Sequence, residues 1–269
     1  MSGFRADWLA LREPYDQKAR NAEVAGAMAA AFAGQPAVSV VDLACGTGST
    51  LRAISSHLPA RQNWRLVDND LGLLLRAGAA DPPAGVRVTT TPVDLAHDLE
   101  AALDGPLDLV TTSALLDLVS EDWLKRFVVE TAARNLPVFA ALTFDGRATL
   151  EPANPLDAAI VAGVNRHQRT DKGFGPALGP TAAAAAIAGF AQTGYAVVQG
   201  PSDWTFEPRD GDIQLEILAG WASAAREIGE VSLADGVSWL TRRRELLAAG
   251  RSRIRVGHVD FFAAPTGKR

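Results

Sequence analysis

Between Val38 and Thr143 the chain alternates short, apolar, β-branched runs with longer stretches whose apolar residues recur at helical spacing. The alternation of such runs with helices is the pattern of parallel βαβ units. The runs predict strands over Val38–Leu43, Trp64–Asp68, Val86–Thr89, Leu107–Thr112 and Val138–Thr143. Helices are expected between them, over Thr50–Leu58, Leu71–Ala77, Leu95–Ala102 and Glu121–Asn135. Tyr195–Gln199 and Ile254–Ala263 read as two further strands, which makes a seven-stranded, mostly parallel sheet with helices on both faces. Ahead of the first strand, Asp16–Phe32 reads as one helix, opened by Pro14 and a turn after Arg12.

Two segments exceed a minimal sheet of this kind. Asp145–Pro180 is rich in Gly and Pro, and Pro201–Arg251 predicts two helices near Asp212–Ile228 and Leu233–Ala248. Gly229 is placed to stop the first of these and Ser232 to cap the second. With no internal repeat and no linker composition, the expected organisation is one domain over 1–269. It has a helical lid at 1–36, a core at 37–145 and insertions at 146–180 and 201–251. Hydrophobic residues make up 48% of the 269, enough to fill such a core.

Charge and composition then exclude several partners. The net charge of −5 argues against a phosphate-backbone footprint, and the runs Arg242–Arg244 and Arg251, Arg253, Arg255 read as a solvated helix face and a strand edge. The single cysteine, Cys45, leaves no intrachain disulfide. No uncharged apolar stretch is long enough to span a bilayer, and the first residues lack the apolar core of a signal peptide, so a cytoplasmic protein without a membrane partner is expected. No metal-binding spacing of Cys and His appears.

The stretch Val40–Ser49 carries the most chemical information. An apolar strand ends in Asp42 and enters a turn, Ala44-Cys45-Gly46-Thr47-Gly48, from which a helix starts near Ser49. Gly46 and Gly48 allow close approach of backbone to a ligand, and the helix start directs unpaired N–H groups at it. Dinucleotide enzymes want a third glycine where Leu51 stands. A carboxylate at Asp42 would also repel a pyrophosphate, whereas it suits the cationic amino group or sulfonium of S-adenosylmethionine.

At these residues the chain resembles the class I S-adenosylmethionine-dependent methyltransferases, whose first motif is an apolar strand followed by an acid-x-x-x-Gly-x-Gly turn. Further features fall in order through the first 145 residues and return at the last two strands. The resemblance implies a Rossmann-like sheet and S-adenosyl-L-methionine as cofactor, with S-adenosyl-L-homocysteine as product. Trp64–Asp68 resembles the second strand, whose terminal acid, Asp68, with Asn69 beside it, would hold the ribose hydroxyls. Thr91–Leu95 resembles the adenine segment, with Asp94 accepting from the exocyclic amine and Leu95 covering the ring. Asp94 can equally cap the helix after it. Leu109–Leu115 resembles the fourth strand and the loop that lines the transfer centre, which places Thr112 and Ser113 there. In the lid, Tyr15 is expected to cover the methionine end and Arg20 to pair with its carboxylate.

Methyl transfer from a sulfonium needs alignment and water exclusion more than a fixed acid or base. The catalytic candidates are therefore His167 in Asn165–Gly175, Asp145 after the fifth strand, and Asp117 after the fourth. His258 reads as structural, His57 and His97 as solvent-facing, and Trp204, Phe206, Trp221 and Trp239 as helix packing. The expected activity is methyl transfer to a small-molecule acceptor held by the insertions. A non-catalytic cofactor-binding scaffold and a protein or nucleic-acid methyltransferase are the alternatives. The latter would need an open charged groove, and Thr112-Ser113-Ala114-Leu115 stands where many nucleic-acid amino methylases carry Asn-Pro-Pro-Tyr.

Overall fold

The computed structural model describes residues 5–267. Residues 1–4, read above for a targeting segment, lie outside the described residues. Along the chain run α1 (Ala6–Ala19), α2 (Ala22–Phe32), β1 (Val38–Leu43), α3 (Ser49–Ile54), β2 (Gln62–Asp68), α4 (Leu71–Ala79), β3 (Val86–Pro92), α5 (Leu99–Ala102) and β4 (Leu109–Ser113). There follow α6 (Glu121–Ala133), β5 (Val138–Glu151), α7 (Asp157–His167), α8 (Ala182–Gln192), β6 (Tyr195–Pro201), β7 (Trp204–Phe206), α9 (Gly211–Glu227), α10 (Leu233–Ala248) and β8 (Arg253–Pro265).

The strands form one sheet in the order β3-β2-β1-β4-β5-β8-β6, with β7 paired to β8. β1 to β5 are parallel, and β8 is antiparallel to β5, β6 and β7. The chain steps outward from β1 to β3 and then returns to place β4 on the other side of β1. Neighbouring strands there send their connections to opposite faces, which opens a crevice at their C-terminal ends.

Alternation along the strands divides the core. Val41, Leu43 and Val110 face Phe127 and Phe190 on one side, whereas Val40, Trp64 and Phe139 face Met28, Phe32 and Leu74 on the other. Leu51, the residue that argued against a dinucleotide turn, is buried in the second cluster. Asp70 caps α4 through the amides of Gly72 and Leu73, and Ser232 caps α10 through that of Asp235. No helix among the described residues is long and apolar enough to cross a membrane.

Four expectations need correction. The sheet has eight strands, because Trp204–Phe206, inside the expected second insertion, pairs with β8. β5 does not stop at Thr143: it passes two register shifts and continues to Glu151 against the start of β8. The N-terminal helix is two helices, and Pro14 lies inside α1 instead of opening it. The break falls at Arg20 and Asn21, both extended, where the Asn21 side chain accepts from the amides of Glu23 and Val24 and starts α2. Finally, the Gly- and Pro-rich stretch hides α7. Gly163 lets that helix lie against α9, since a Cβ there would sit 2.6 Å from that of Ala225.

The extended ends of β5 and β8 with β7, α7, α9 and α10 enclose a third apolar cluster around Phe144, Ile160, Phe206, Ile217 and Trp239. Trp8, Leu11 and Tyr15 of α1 pack on it. Trp239 and Trp221 pack there from helices, as their sequence pattern suggested, whereas Trp204 and Phe206 do so from the strand β7.

Candidate functional site

A cavity of about 860 Å³ opens at the C-terminal ends of β1, β2 and β4. Its floor is the turn after β1, where Ala44, Gly46 and Gly48 have φ of 53°, 56° and 82°. Three left-handed residues in five fold the backbone back sharply, and for Ala44 that conformation is costly. The Gly46 N–H donates to Asp68 Oδ2 at 2.9 Å and the Asp70 N–H to Asp68 Oδ1 at 3.0 Å. Asp68 thus braces the turn, and each oxygen retains a lone pair for a further donor. Asn69 lies beside it in the wall.

Val93 and Leu95 line the next part of the cavity, and the Leu95 carbonyl is fixed by the Trp123 indole N–H at 2.6 Å. Asp94 is not in the wall and does not cap α5, whose N-cap is Asp98: it accepts from the Ala96 amide at 3.0 Å and pairs with His97, closing the turn ahead of that helix. Of the β4 residues, Ser113 reaches the cavity, whereas Thr112 is buried beneath it and donates to the Leu43 carbonyl.

Helix α1 roofs the site. Leu9, Arg12 and Asp16 reach the cavity, and a Cβ on Gly46 would lie 3.3 Å from Leu9 Cδ1. Arg12 and Asp16 are a turn apart and joined at 2.8 Å, and Asp16 also accepts from the Trp204 indole at 2.9 Å, which ties roof to insertion. Tyr15, expected at the methionine end, projects from another face of the helix. Its hydroxyl donates to Asp210 and its ring packs edge-on against Phe206, so it does not reach the cavity.

Arg20 and Asp42 lie one layer below the cavity. Asp42 is fully buried, accepts from the Thr111 hydroxyl at 2.8 Å and has no partner on Oδ2. Burial pushes its carboxyl up to about 7, opposed by the Thr111 hydrogen bond and the charge of Arg20. Arg20 reaches Ser113 Oγ through Nη2 at 3.5 Å, while Nε and Nη1 are sealed from solvent without partners. Burial lowers its pKa, and the carboxylates of Asp260, Asp16 and Asp42 oppose this.

Because the folded-state pKa of Asp42 is raised above its ordinary value of 3.8, the stability tied to its proton is complete below that value. It is lost as pH rises through about 7. Asn at this position stays neutral and can still accept from Thr111. The melting temperature of Asp42→Asn should therefore gain on that of the parent between about pH 5 and about pH 8. A difference independent of pH in thermal melts would contradict the buried, proton-binding carboxyl.

Of the three catalytic candidates, none lines the cavity. Asp145 sits in the irregular part of β5, held by the Arg147 guanidinium, and Gly257 opposite leaves it room. His167, in the last turn of α7, lies between Glu227 and Lys172. Asp117 is buried next to the wall residue Leu118 and has no partner on Oδ1. Burial raises its pKa to about 6, opposed by its own amide and the charge of Arg12. His258 is buried against Trp204, and burial lowers it to about 4, in keeping with a structural role.

Sequence reasoning missed Arg12 and Lys172 as wall residues. The signal for Arg12 is its i, i+4 relation to Asp16, which a helix start at Pro14 hides. For Lys172 it is Asp171-x-Gly173-x-Gly175, a turn in which Asp171 Oδ1 accepts from both glycine amides.

Strand order and crevice together are those of the Rossmann-like class I methyltransferase fold. No family model matches the chain, and no curated protein matches its sequence. Among solved structures the chain is similar to the cyclopropane synthase MmaA2 from Mycobacterium tuberculosis, with TM-score 0.52 and 15% identity over 97% of this chain and 94% of that one. It is also similar to a cyclopropane-fatty-acyl-phospholipid synthase-like protein from Lactobacillus casei ATCC 334, with TM-score 0.53 and 12% identity over 97% and 94%. At such identities the likeness is one of fold.

Proposed function

We propose that this protein is an S-adenosylmethionine-dependent methyltransferase that passes a methyl group to a small-molecule acceptor by in-line displacement. The observation that carries the reading is the convergence, in one cavity at the sheet's crevice, of the Gly46 turn, the Asp68 carboxylate with spare lone pairs, and the apolar Val93 and Leu95. The fit to the cofactor is chemical as well as spatial: about 860 Å³ accommodates a nucleoside and a small acceptor together.

Asp68 and Asn69 would hold the ribose hydroxyls, and Val93 and Leu95 the two faces of the base. Ala44 and Gly46 leave the floor open, and Ser113 borders the reacting end. Arg12 takes over the methionine carboxylate from the expected Arg20: it lies in the wall, and among the described residues its Nε alone of the three nitrogens finds a hydrogen-bond partner. Arg20 and Asp42 support the floor from below.

When bound, S-adenosylmethionine supplies an electrophilic methyl group on a sulfonium, and its thioether departs without needing an acid. The protein's part is to align the acceptor and exclude water, which in well-ordered reactions contributes on the order of 7–11 kcal/mol. Leu9 and the rest of α1 act as the lid, while the loop after α7 closes the acceptor side.

Calorimetric titration tests this directly. S-adenosylhomocysteine should bind, and Asp68→Ala should weaken it by up to about 3 kcal/mol, the scale of hydrogen bonds to a charged group. A protein that ignores S-adenosylhomocysteine but holds a nicotinamide or flavin nucleotide tightly would overturn the reading.

A further inference from the structure

The acceptor side of the cavity contains a cation that forms no ion pair among the described residues. Lys172 lies in the wall, half-buried, and its ammonium group donates to Thr170 Oγ1 at 3.0 Å and meets His167 Nδ1 at 3.2 Å. Neither partner is a carboxylate, and two bonds leave one of three N–H donors unused. Among the described residues no carboxylate comes within the 4.0 Å of an ion pair with it. Lysine is seldom taken out of water unless paired, so an uncompensated ammonium in a cavity wall asks for an anion.

Three of the acids nearby are already committed. Asp171 Oδ1 accepts the amides of Gly173 at 2.6 Å and Gly175 at 3.0 Å. Glu227, from α9, accepts from the Ser223 hydroxyl and faces His167 Nε2 at 3.3 Å. Asp16 is taken by Arg12 and Trp204. Asp117 is buried, with its carboxyl raised toward neutrality.

Lys172 is also held in place. The neutral tautomer of His167 that donates Nε2–H to Glu227 presents the Nδ1 lone pair, which can accept from the Lys172 ammonium. The Lys172 loop is pinned to the far side of the cavity by the Leu178 N–H on the Val119 carbonyl at 2.8 Å and by bridges from Ser120 to Ala177 and from Asp171 to Pro176. Burial lowers the pKa of Lys172, but Glu227 and Asp117 act the other way and favour the charged form. The neighbouring wall is apolar: Leu115, Leu118 and Phe174, whose ring packs edge-on against Trp123.

We propose that Lys172 marks an anion subsite for the acceptor, so that the substrate is an organic acid with an apolar body. The apolar part would lie along Leu118 and Phe174, and its carboxylate or phosphate would take the free N–H of Lys172. This rests on the methyltransferase reading, since it leaves the Gly46 and Asp68 end of the cavity to the cofactor. A wall cation opposite a cationic cofactor makes the acceptor end electropositive, which disfavours amines and concentrates anions.

The test uses the full chain saturated with S-adenosylhomocysteine, whose affinity is measured first, so failure of the cofactor reading is seen separately. Benzoate, phenyl phosphate and benzamide are then titrated and followed by calorimetry. At least one of the two anions should bind about tenfold more tightly than the neutral amide, as one charge-assisted hydrogen bond implies. The better anion tells carboxylate from phosphate. Lys172→Met should erase the preference with S-adenosylhomocysteine affinity unchanged, and Lys172→Arg should restore it. No preference for either anion in the parent protein, or a preference that survives in Lys172→Met, overturns the proposal.

Discussion

Gly46→Val should abolish S-adenosylhomocysteine binding while leaving a folded protein. Gly46 has φ of 56°, a conformation in which a β-branched side chain is strained. Its missing Cβ would lie 3.3 Å from Leu9 Cδ1, and the next carbons of valine would enter the space between the turn and the lid. Either the lid lifts or the turn moves off Asp68, and the cavity loses its floor or its roof. An affinity loss of at least about 100-fold is expected, roughly 3 kcal/mol. Gly105→Ala separates strain from blockage: that glycine has φ of 87° with open space around its missing Cβ. It should cost stability of the same order, about 1 kcal/mol, and leave binding untouched. Unchanged calorimetric affinity in Gly46→Val would remove the turn from the cofactor site.

Much of the floor was legible because it is local in sequence. Asp42, Gly46, Gly48 and Asp68 sit at the ends of adjacent parallel strands, so apolar runs that fix the strands also fix where the turn and acid emerge. The lid and acceptor side are different. Whether an acid at the end of β1 faces the ligand or the interior depends on what lies beneath it, and Asp42 turned inward because Thr111 and Arg20 meet it there. Tyr15 and Arg12 differ by three residues, yet only packing of α1 on Phe206 decides which faces the cavity. The long β5–β8 ladder was hidden because Asp145, Gly146 and Arg147 open the Gly- and Pro-rich segment that reads as lying beyond the fifth strand. In the structure they form an irregularity within paired strands, opposite Gly257. Lys172 became visible only when α7 and α9 brought His167 and Glu227 together.

The largest loss of stability should follow from Asp260→Asn. Asp260 lies in β8, fully buried, and joins three parts of the molecule that are distant in sequence. Oδ2 accepts from the Asn21 amide at 2.9 Å, at the junction of the lid helices, and Oδ1 from the Leu142 amide at 2.7 Å. Leu142 has φ of 55°, rare for a bulky residue, at the register shift of β5, and the bond to Asp260 helps hold it there. Asp260 is also the foremost of the charges that favour the ionised form of Arg20. Asparagine fills the same volume, but its NH₂ group must face one of the two N–H donors, and the buried guanidinium loses its principal counter-charge. A buried backbone N–H left without its acceptor costs about 1–3 kcal/mol. Denaturant unfolding should show a lower midpoint with an unchanged slope, and hydrogen exchange should quicken first at Asn21 and through α2. In Arg20→Met with Asp260→Asn the stranded charge is gone, so the double variant should be destabilised by less than the two single changes summed. A loss below about 1 kcal/mol in Asp260→Asn, or strict additivity with Arg20→Met, would mean that the lid is anchored elsewhere.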